Sequence, residues 1–183
     1  MQTRDADILV IPGWKNSDRD HWQSRWERNL STARRVAQDD WDTPRCADWA
    51  RAIGAAAASA SRPIVLLAHG CGVLAAAHAL IAADGPRVAG AFLVAPPDLS
   101  ASDDWPARQG GFWPPPLAPL PTRVVLVASR SDRTCRFDEA EALAQAWNAQ
   151  LVDAGPSGHI NTASGQGPWP DGLLQFGRFL KSI

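Results

Sequence analysis

Short apolar segments that alternate with helical segments constrain the fold of this chain more than any other feature. Six segments predict strands, at residues 8–11, 34–38, 64–68, 88–94, 124–128 and 150–153. Apolar residues at helical spacing predict helices over residues 20–30, 45–59, 71–83, 137–147 and 173–180. Most of the strands are apolar along their whole length, which is typical of parallel strands buried on both faces. We therefore predict a doubly wound α/β fold, in which helices cover both faces of a six-stranded, mostly parallel sheet.

The length of the chain, 183 residues, predicts a single domain over residues 1–183, because typical domains span roughly 100–200 residues. The sequence contains no internal repeat and no linker. Residues 96–121 are rich in proline, glycine and tryptophan, and we predict a long loop there. Loops of about 25 residues are commonly functional, so this segment is a candidate lid over a binding site.

Charge and cysteine content exclude several classes of protein. The net charge is −1 and the isoelectric point is near 6.4. This charge balance argues against a nucleic-acid-binding protein, which needs a basic surface. No apolar run reaches the roughly 18 residues that cross a bilayer, and the first residues lack the apolar core of a signal peptide. Cys46, Cys71 and Cys135 are odd in number and too widely spaced for a disulfide framework or a CxxC zinc site. We expect a cytoplasmic protein.

Two residues that follow the last two strands suggest a catalytic acid and base. Asp132 follows strand 124–128, and His159 lies in a loop after strand 150–153, next to Gly158. In a parallel sheet, functional residues collect beyond the carboxyl ends of the strands. The order of an acid followed by a histidine is that of the α/β-hydrolases. Asp98, which follows strand 88–94, is a rival for the acid.

The nucleophile of such a site belongs on the sharp turn after strand 64–68. That turn requires small residues two positions before and two positions after the nucleophile, because strand and helix nearly touch there. A frame centred on residue 70 has Ala68 and Gly72 as its flanks, whereas a frame centred on Cys71 has His69 and Val73. The sequence therefore places Gly70, which has no side chain, at the nucleophile position.

Five segments of the chain resemble the small serine hydrolases of the retinoblastoma-binding-protein-nine type. They read ILVIPGW, DRDHWQSRWE, LLAHGCG, VASRSD and VDAGPSGHIN and span nearly the whole sequence. The resemblance implies a compact α/β-hydrolase fold without a large cap domain, and an esterase-like activity on a small ester or amide. It implies no metal or cofactor, no nucleic-acid partner and no membrane partner.

The resemblance also assigns roles to individual residues. The turn in that family reads His-Ser-x-Gly, so Gly70 stands in the place of its serine, Asp132 in the place of its acid and His159 in the place of its base. The backbone N–H groups of Trp14 and Cys71 would form the oxyanion hole. The residues expected to line the substrate pocket are Gly13, His69, Trp105, Trp113 and Asn161. Because the serine is missing, the chain is expected to be nearly inactive.

Three alternatives remain open at this point. A non-catalytic protein of the same fold would use the pocket to bind a small acyl ligand or a protein partner. A thiol hydrolase would use Cys71, since a thiol at a helix N-terminus has a lowered pKa. The run from His69 to Gly72 also looks like the HGGG oxyanion motif of lipases, although the early turn Pro12-Gly13-Trp14 fills that place.

Overall fold

The computed structural model describes residues 1–82, 84–101 and 104–183. Within these residues the strands are β1 (Asp7–Ile11), β2 (Ala33–Arg35), β3 (Ile64–His69), β4 (Gly90–Val94), β5 (Arg123–Ala128) and β6 (Gln150–Asp153). The α-helices are α1 (Trp22–Asn29), α2 (Cys46–Ala58), α3 (Cys71–Ile81), α4 (Phe137–Ala146) and α5 (Pro170–Ser182). The predicted order of strands and helices is confirmed.

The boundaries differ from the prediction in a few places. Strand β2 ends at Arg35 rather than at residue 38, and helix α5 begins at Pro170 rather than at residue 173. Proline suits the first turn of a helix because its missing N–H has no intrahelical partner there and its φ is already helical. Ala83, the last residue of the predicted helix 71–83, lies outside the described residues.

All six strands of the described chain form one sheet in the order β2-β1-β3-β4-β5-β6. Every neighbouring pair is parallel, with Leu9 opposite Leu66 and Leu66 opposite Ala91 in the central register. The chain moves outward from β1 to β2 and then returns to the other side of β1 to form β3. This reversal leaves a crevice at the carboxyl ends of β1 and β3, where open α/β sheets bind their ligands.

The side chains of alternate strand residues point to opposite faces of the sheet and contribute to two apolar layers. Leu9, Leu66 and Leu93 point into the layer covered by α2, α3 and α4. Ile8, Val65 and Phe92 point into the layer covered by α1 and α5. The centre of α3 consists of fully buried alanines, and such small side chains let a helix approach a sheet closely.

The segment 96–121 is more ordered than the loop that we predicted. It contains helical turns at Leu99–Ala101 and Arg108–Phe112, while residues 102 and 103 lie outside the described residues. Phe112 is fully buried, and its ring meets the ring of Trp49 edge to face with 5.3 Å between centroids. This aromatic contact holds the segment against α2.

Among the residues that the structure describes, no helix has the length and hydropathy that a membrane-spanning segment needs.

Candidate active site

A cavity of about 410 Å³ opens at the carboxyl ends of β1 and β3. We call it the cleft. Its walls come from the segments that follow β1, β3, β4, β5 and β6. Of the residues predicted for the site, Gly13, Trp14, His69, Gly70, Cys71, Trp105, His159 and Asn161 line it.

Gly70 occupies the sharp turn between β3 and α3. Its backbone has φ 57° and ψ −131°, a combination that strains any residue with a β-carbon by roughly 1–3 kcal/mol. Its N–H donates a hydrogen bond to the Val94 carbonyl at 3.1 Å, and its carbonyl accepts one from the Val73 N–H at 2.9 Å. Backbone hydrogen bonds therefore fix the turn on both sides of residue 70, although Gly70 has no side chain.

Close backbone contact requires glycine at residue 72 and leaves little room for a side chain at residue 13. A β-carbon on Gly72 would lie 2.4 Å from the Pro12 carbonyl oxygen and 2.5 Å from that of Ile11. A β-carbon on Gly13 would lie 3.1 Å from the His69 carbonyl oxygen and 3.2 Å from the Cys71 nitrogen. The small-residue frame that the sequence suggested at residue 70 thus has a physical cause, namely the contact between the turn after β1 and the start of α3.

His159 and Asp132 are joined directly. The Nδ1 atom of His159 lies 2.8 Å from Oδ2 of Asp132, and the Asp132 side chain is only 3% exposed. Because a carboxylate only accepts hydrogen bonds, Nδ1 carries the proton and Nε2 is free to accept one. A β-carbon on Gly70 would lie 3.5 Å from that Nε2 atom. The structure therefore brings Gly70, His159 and Asp132 together in the order that the sequence suggested.

Thr134 is a member of this group that the sequence analysis missed. Its Oγ1 donates to Oδ1 of Asp132 at 2.8 Å and lies 2.9 Å from Nδ1 of His159. Its backbone N–H also donates to Oδ1 of Asp132, at 2.8 Å. The sequence spacing could have indicated Thr134. It lies two residues after Asp132, where an aspartate turn places a hydroxyl next to the carboxylate.

Two further histidines pack in a row behind His159. The ring of His69 lies 4.8 Å from the rings of both His159 and His21. His69 Nε2 donates to the His159 carbonyl oxygen at 2.9 Å, which fixes the loop that carries the base. Burial lowers the pKa of His69 well below its usual value and that of His21 to about 4. Both imidazoles are therefore neutral at pH 7.

His21 was also missed by the sequence analysis, although it lies in the HWQSRWE segment that carries the resemblance. Its Nδ1 accepts a hydrogen bond from the Gln23 N–H and so caps helix α1. That bond assigns the ring proton to Nε2. His21 lines the cleft together with Asp18 and Thr162, which are far apart in sequence and form a polar edge through a hydrogen bond from Thr162 Oγ1 to the Asp18 carboxylate.

Cys71 begins helix α3 and is 3% exposed. Burial raises the pKa of its thiol to about 12, while the backbone N–H groups of Trp14 and Cys71 act weakly in the opposite direction. The thiol is therefore protonated at neutral pH, contrary to what a thiolate nucleophile requires.

The aromatic wall of the cleft consists of Trp14 and Trp105, whose rings are 6.4 Å apart. Trp113 does not line the cleft, contrary to the prediction for this residue. It lines a second cavity of about 290 Å³ beside α4 and packs against the same core cluster that contains Phe112. Asp98, the rival acid, also lines that second cavity, and its carboxylate accepts from the Ser100 N–H.

Within the described part of the chain, no group of three or more His, Cys, Asp or Glu residues is arranged to hold a metal ion.

Comparisons with known proteins identify the family and the fold of the chain. A protein-family model described as serine hydrolase matches residues 8–178. Among solved structures, a YdeN-like hydrolase from Pectobacterium atrosepticum is 32% identical with a TM-score of 0.86, and the match covers 97% of this chain and 91% of that one. A comparison with curated proteins found no match.

Two more distant structures show similarity at the level of the fold. The ydeN gene product of B. subtilis is 19% identical with a TM-score of 0.76, and the match covers 96% of each chain. The apo form of Thermogutta terrifontis esterase 2 is 15% identical with a TM-score of 0.70, over 98% of this chain and 83% of that one. Together these matches confirm the predicted compact α/β-hydrolase architecture.

Proposed function

This chain belongs to the serine hydrolase family, and we propose that it is an esterase-type member whose nucleophile position is occupied by Gly70. Within that family we place it with the small hydrolases of the retinoblastoma-binding-protein-nine type, on the sequence segments quoted above. Its cleft would bind a small ester or amide, and its own turnover would be very low.

One observation carries this proposal. Gly70 has the strained backbone of a nucleophile turn, and its missing β-carbon would point at Nε2 of His159 from 3.5 Å. A serine hydroxyl placed there would come within hydrogen-bond reach of a base that Asp132 and Thr134 already orient. Acyl transfer requires this arrangement of nucleophile, base and orienting acid.

The roles of the remaining residues follow from that geometry. With a serine at residue 70, His159 would take the hydroxyl proton while the oxygen attacks the ester carbonyl. The backbone N–H groups of Trp14 and Cys71 would stabilise the oxyanion, and water would then release the acyl group. Loss of the nucleophile costs on the order of a million-fold in turnover, leaving roughly 10³–10⁴ over water from oxyanion stabilisation and binding.

Gly70 itself favours a second candidate function, that of a non-catalytic protein that binds a small acyl ligand or a protein partner. In that case Asp132, Thr134 and His159 would serve as a polar network that shapes the cleft. The thiol alternative receives no support, since the pKa of Cys71 is raised to about 12.

We test the proposal by measuring hydrolysis of 4-nitrophenyl acetate by the parent chain and by Gly70→Ser. We expect the serine variant to exceed the parent by about 10³-fold or more in kcat/KM and to release an initial burst of nitrophenolate. The double variant Gly70→Ser, His159→Ala controls for the base and should lose this gain. A folded Gly70→Ser protein without any gain would exclude the esterase-type site and leave the binding function.

The same proposal includes the organisation and location of the protein. Residues 1–183 would form one domain, since the six strands of the described chain pair in a single sheet. A cytoplasmic location agrees with three buried cysteines that form no disulfide.

A further inference from the structure

The space beside Nε2 of His159 is open because residue 70 is glycine. In the described part of the chain, a β-carbon added to Gly70 would meet two heavy atoms within 4 Å, Nε2 of His159 at 3.5 Å and Cα of Gly13 at 3.6 Å. Both distances are ordinary van der Waals contacts. Because Gly70 and His159 both line the cleft of about 410 Å³, a water molecule beside Gly70 can come within hydrogen-bond reach of Nε2.

We propose that the parent chain hydrolyses esters by a different route from its relatives, in which His159 activates a water molecule held beside Gly70. This inference rests on the proposed function, because it uses the same cleft for the ester. It replaces the two-step route through an acyl-enzyme by a single attack of water on the carbonyl carbon.

His159 is arranged to act as a base on such a water molecule. Its Nδ1–H is held by Asp132 at 2.8 Å, so that Nε2 presents a lone pair toward residue 70. When Nε2 takes a proton, the positive charge of the ring faces the buried Asp132 carboxylate on one side and the neutral His69 ring on the other. The Asp132 carboxylate thus already contacts the ring on which the charge forms.

The step is balanced without any reactant except water. His159 Nε2 accepts one proton from the water molecule, whose oxygen forms a bond to the carbonyl carbon. The electron pair of the carbonyl double bond moves to oxygen, and the N–H groups of Trp14 and Cys71 stabilise the resulting oxyanion. When the oxyanion collapses, the bond to the leaving alcohol breaks, and His159 returns its proton to the alcohol oxygen.

Gly70→Ala provides a selective test of this route. The added methyl group would lie 3.5 Å from Nε2 and would occupy the space that the water needs, while leaving the base and the oxyanion donors in place. Gly70→Ser, which carries the same backbone strain and a larger side chain, controls for the effect of that strain on folding.

The experiment compares the parent chain, Gly70→Ala and His159→Ala in 4-nitrophenyl acetate hydrolysis, with all proteins prepared in parallel. We expect the parent to exceed His159→Ala by about 100-fold, the lower range of general-base catalysis, and Gly70→Ala to fall to the level of His159→Ala. Rapid mixing should show no burst of nitrophenolate from the parent. Intact-mass measurement during turnover should show no acetylated protein.

Three results would each overturn the inference. Equal rates for the parent and His159→Ala would exclude the base, and an undiminished rate for Gly70→Ala would exclude water at residue 70. A burst with an acetylated parent chain would show direct attack by an imidazole or a thiol instead of water. The proposed function would remain supported if Gly70→Ser is active. If the parent chain is at the same time no faster than His159→Ala, only the route through an activated water is rejected.

Discussion

At the scale of single residues, the two glycines of the turn after β3 are constrained by different causes, one by its backbone conformation and the other by lack of space. Gly70 has room for a side chain but adopts a positive φ of 57°, whereas Gly72 would place a β-carbon 2.4 Å from a backbone oxygen. Strain at a positive φ costs a limited amount of energy that surrounding contacts can offset. A clash with fixed backbone requires the strand or the helix to move, so only the first position can accept a serine.

Replacement of Gly72 by alanine should therefore destabilise the protein strongly. We expect a loss of about 3 kcal/mol in the free energy of unfolding, at the upper end of the cost of overpacking, measured by urea denaturation. Gly54→Ala is the matched control, because a β-carbon there meets nothing within 4 Å in the described structure. Gly54 lies inside helix α2, so alanine should stabilise by about 0.5–1 kcal/mol. Equal stability of the two variants would contradict this account.

At the scale of elements, an aromatic layer connects the packing of α1 and α5 to the candidate active site. The rings of Trp26 and Trp169 stack with 5.8 Å between centroids, and Trp26 also contacts Phe176 of α5. Trp22 of α1 donates from its indole N–H to the Ile160 carbonyl at 2.9 Å. Since Ile160 follows His159 directly, the packing of these two helices positions the loop that carries His159.

Truncation of Phe176 should weaken this layer. Phe176→Ala removes a side chain that is 1% exposed, and such a change in a core costs about 3–5 kcal/mol. Leu174→Ala on the same helix is the control, because Leu174 is 56% exposed and should change stability by less than about 0.5 kcal/mol. Urea denaturation of both variants measures the difference. A small loss for Phe176→Ala would mean that α5 does not depend on this layer.

At the scale of the whole molecule, the buried neutral histidines make stability depend on pH. Burial holds the pKa of His21 at about 4 and that of His69 well below its usual value, whereas both titrate near 6.5 in the unfolded chain. As the pH falls below 6.5, the unfolded state binds protons that the folded state does not. The folded state is therefore favoured by the two neutral histidines above pH 6.5, and this part of the free energy of unfolding is lost on acidification.

We expect the free energy of unfolding to fall by roughly 3 kcal/mol between pH 7.5 and pH 5.5, with both histidines contributing to this loss. Unfolded carboxylates, with pKa values near 4, titrate mainly below this interval. His21→Asn keeps an acceptor for the Gln23 N–H at the start of α1 and should reduce the pH-dependent loss to about half. An unchanged loss in this variant would show that His21 is not the group responsible. Urea denaturation at the two pH values gives the comparison.

The sequence by itself determined the order of the elements and predicted Gly70, Asp132 and His159 as the candidate site residues. Strand and helix follow from local periodicity, which is why β3 and α3 could be predicted on either side of Gly70. The flanks Ala68 and Gly72 identified the turn because the requirement for small residues lies within five consecutive positions. The order of Asp132 and His159 along the chain was likewise visible without coordinates.

Only the tertiary structure decided which distant side chains meet at the cleft. His69 contacts the His159 carbonyl across 90 residues of chain, and His21 joins the row through a loop whose direction no periodicity encodes. Thr134 donates to Asp132 and contacts His159, and Trp113 lines the second cavity instead of the cleft. The local pattern of residues determines the conformation of strands, helices and turns. The direction of a loop side chain depends instead on contacts between remote segments, and the contacts that win are those that bury the most apolar surface and satisfy the most hydrogen bonds.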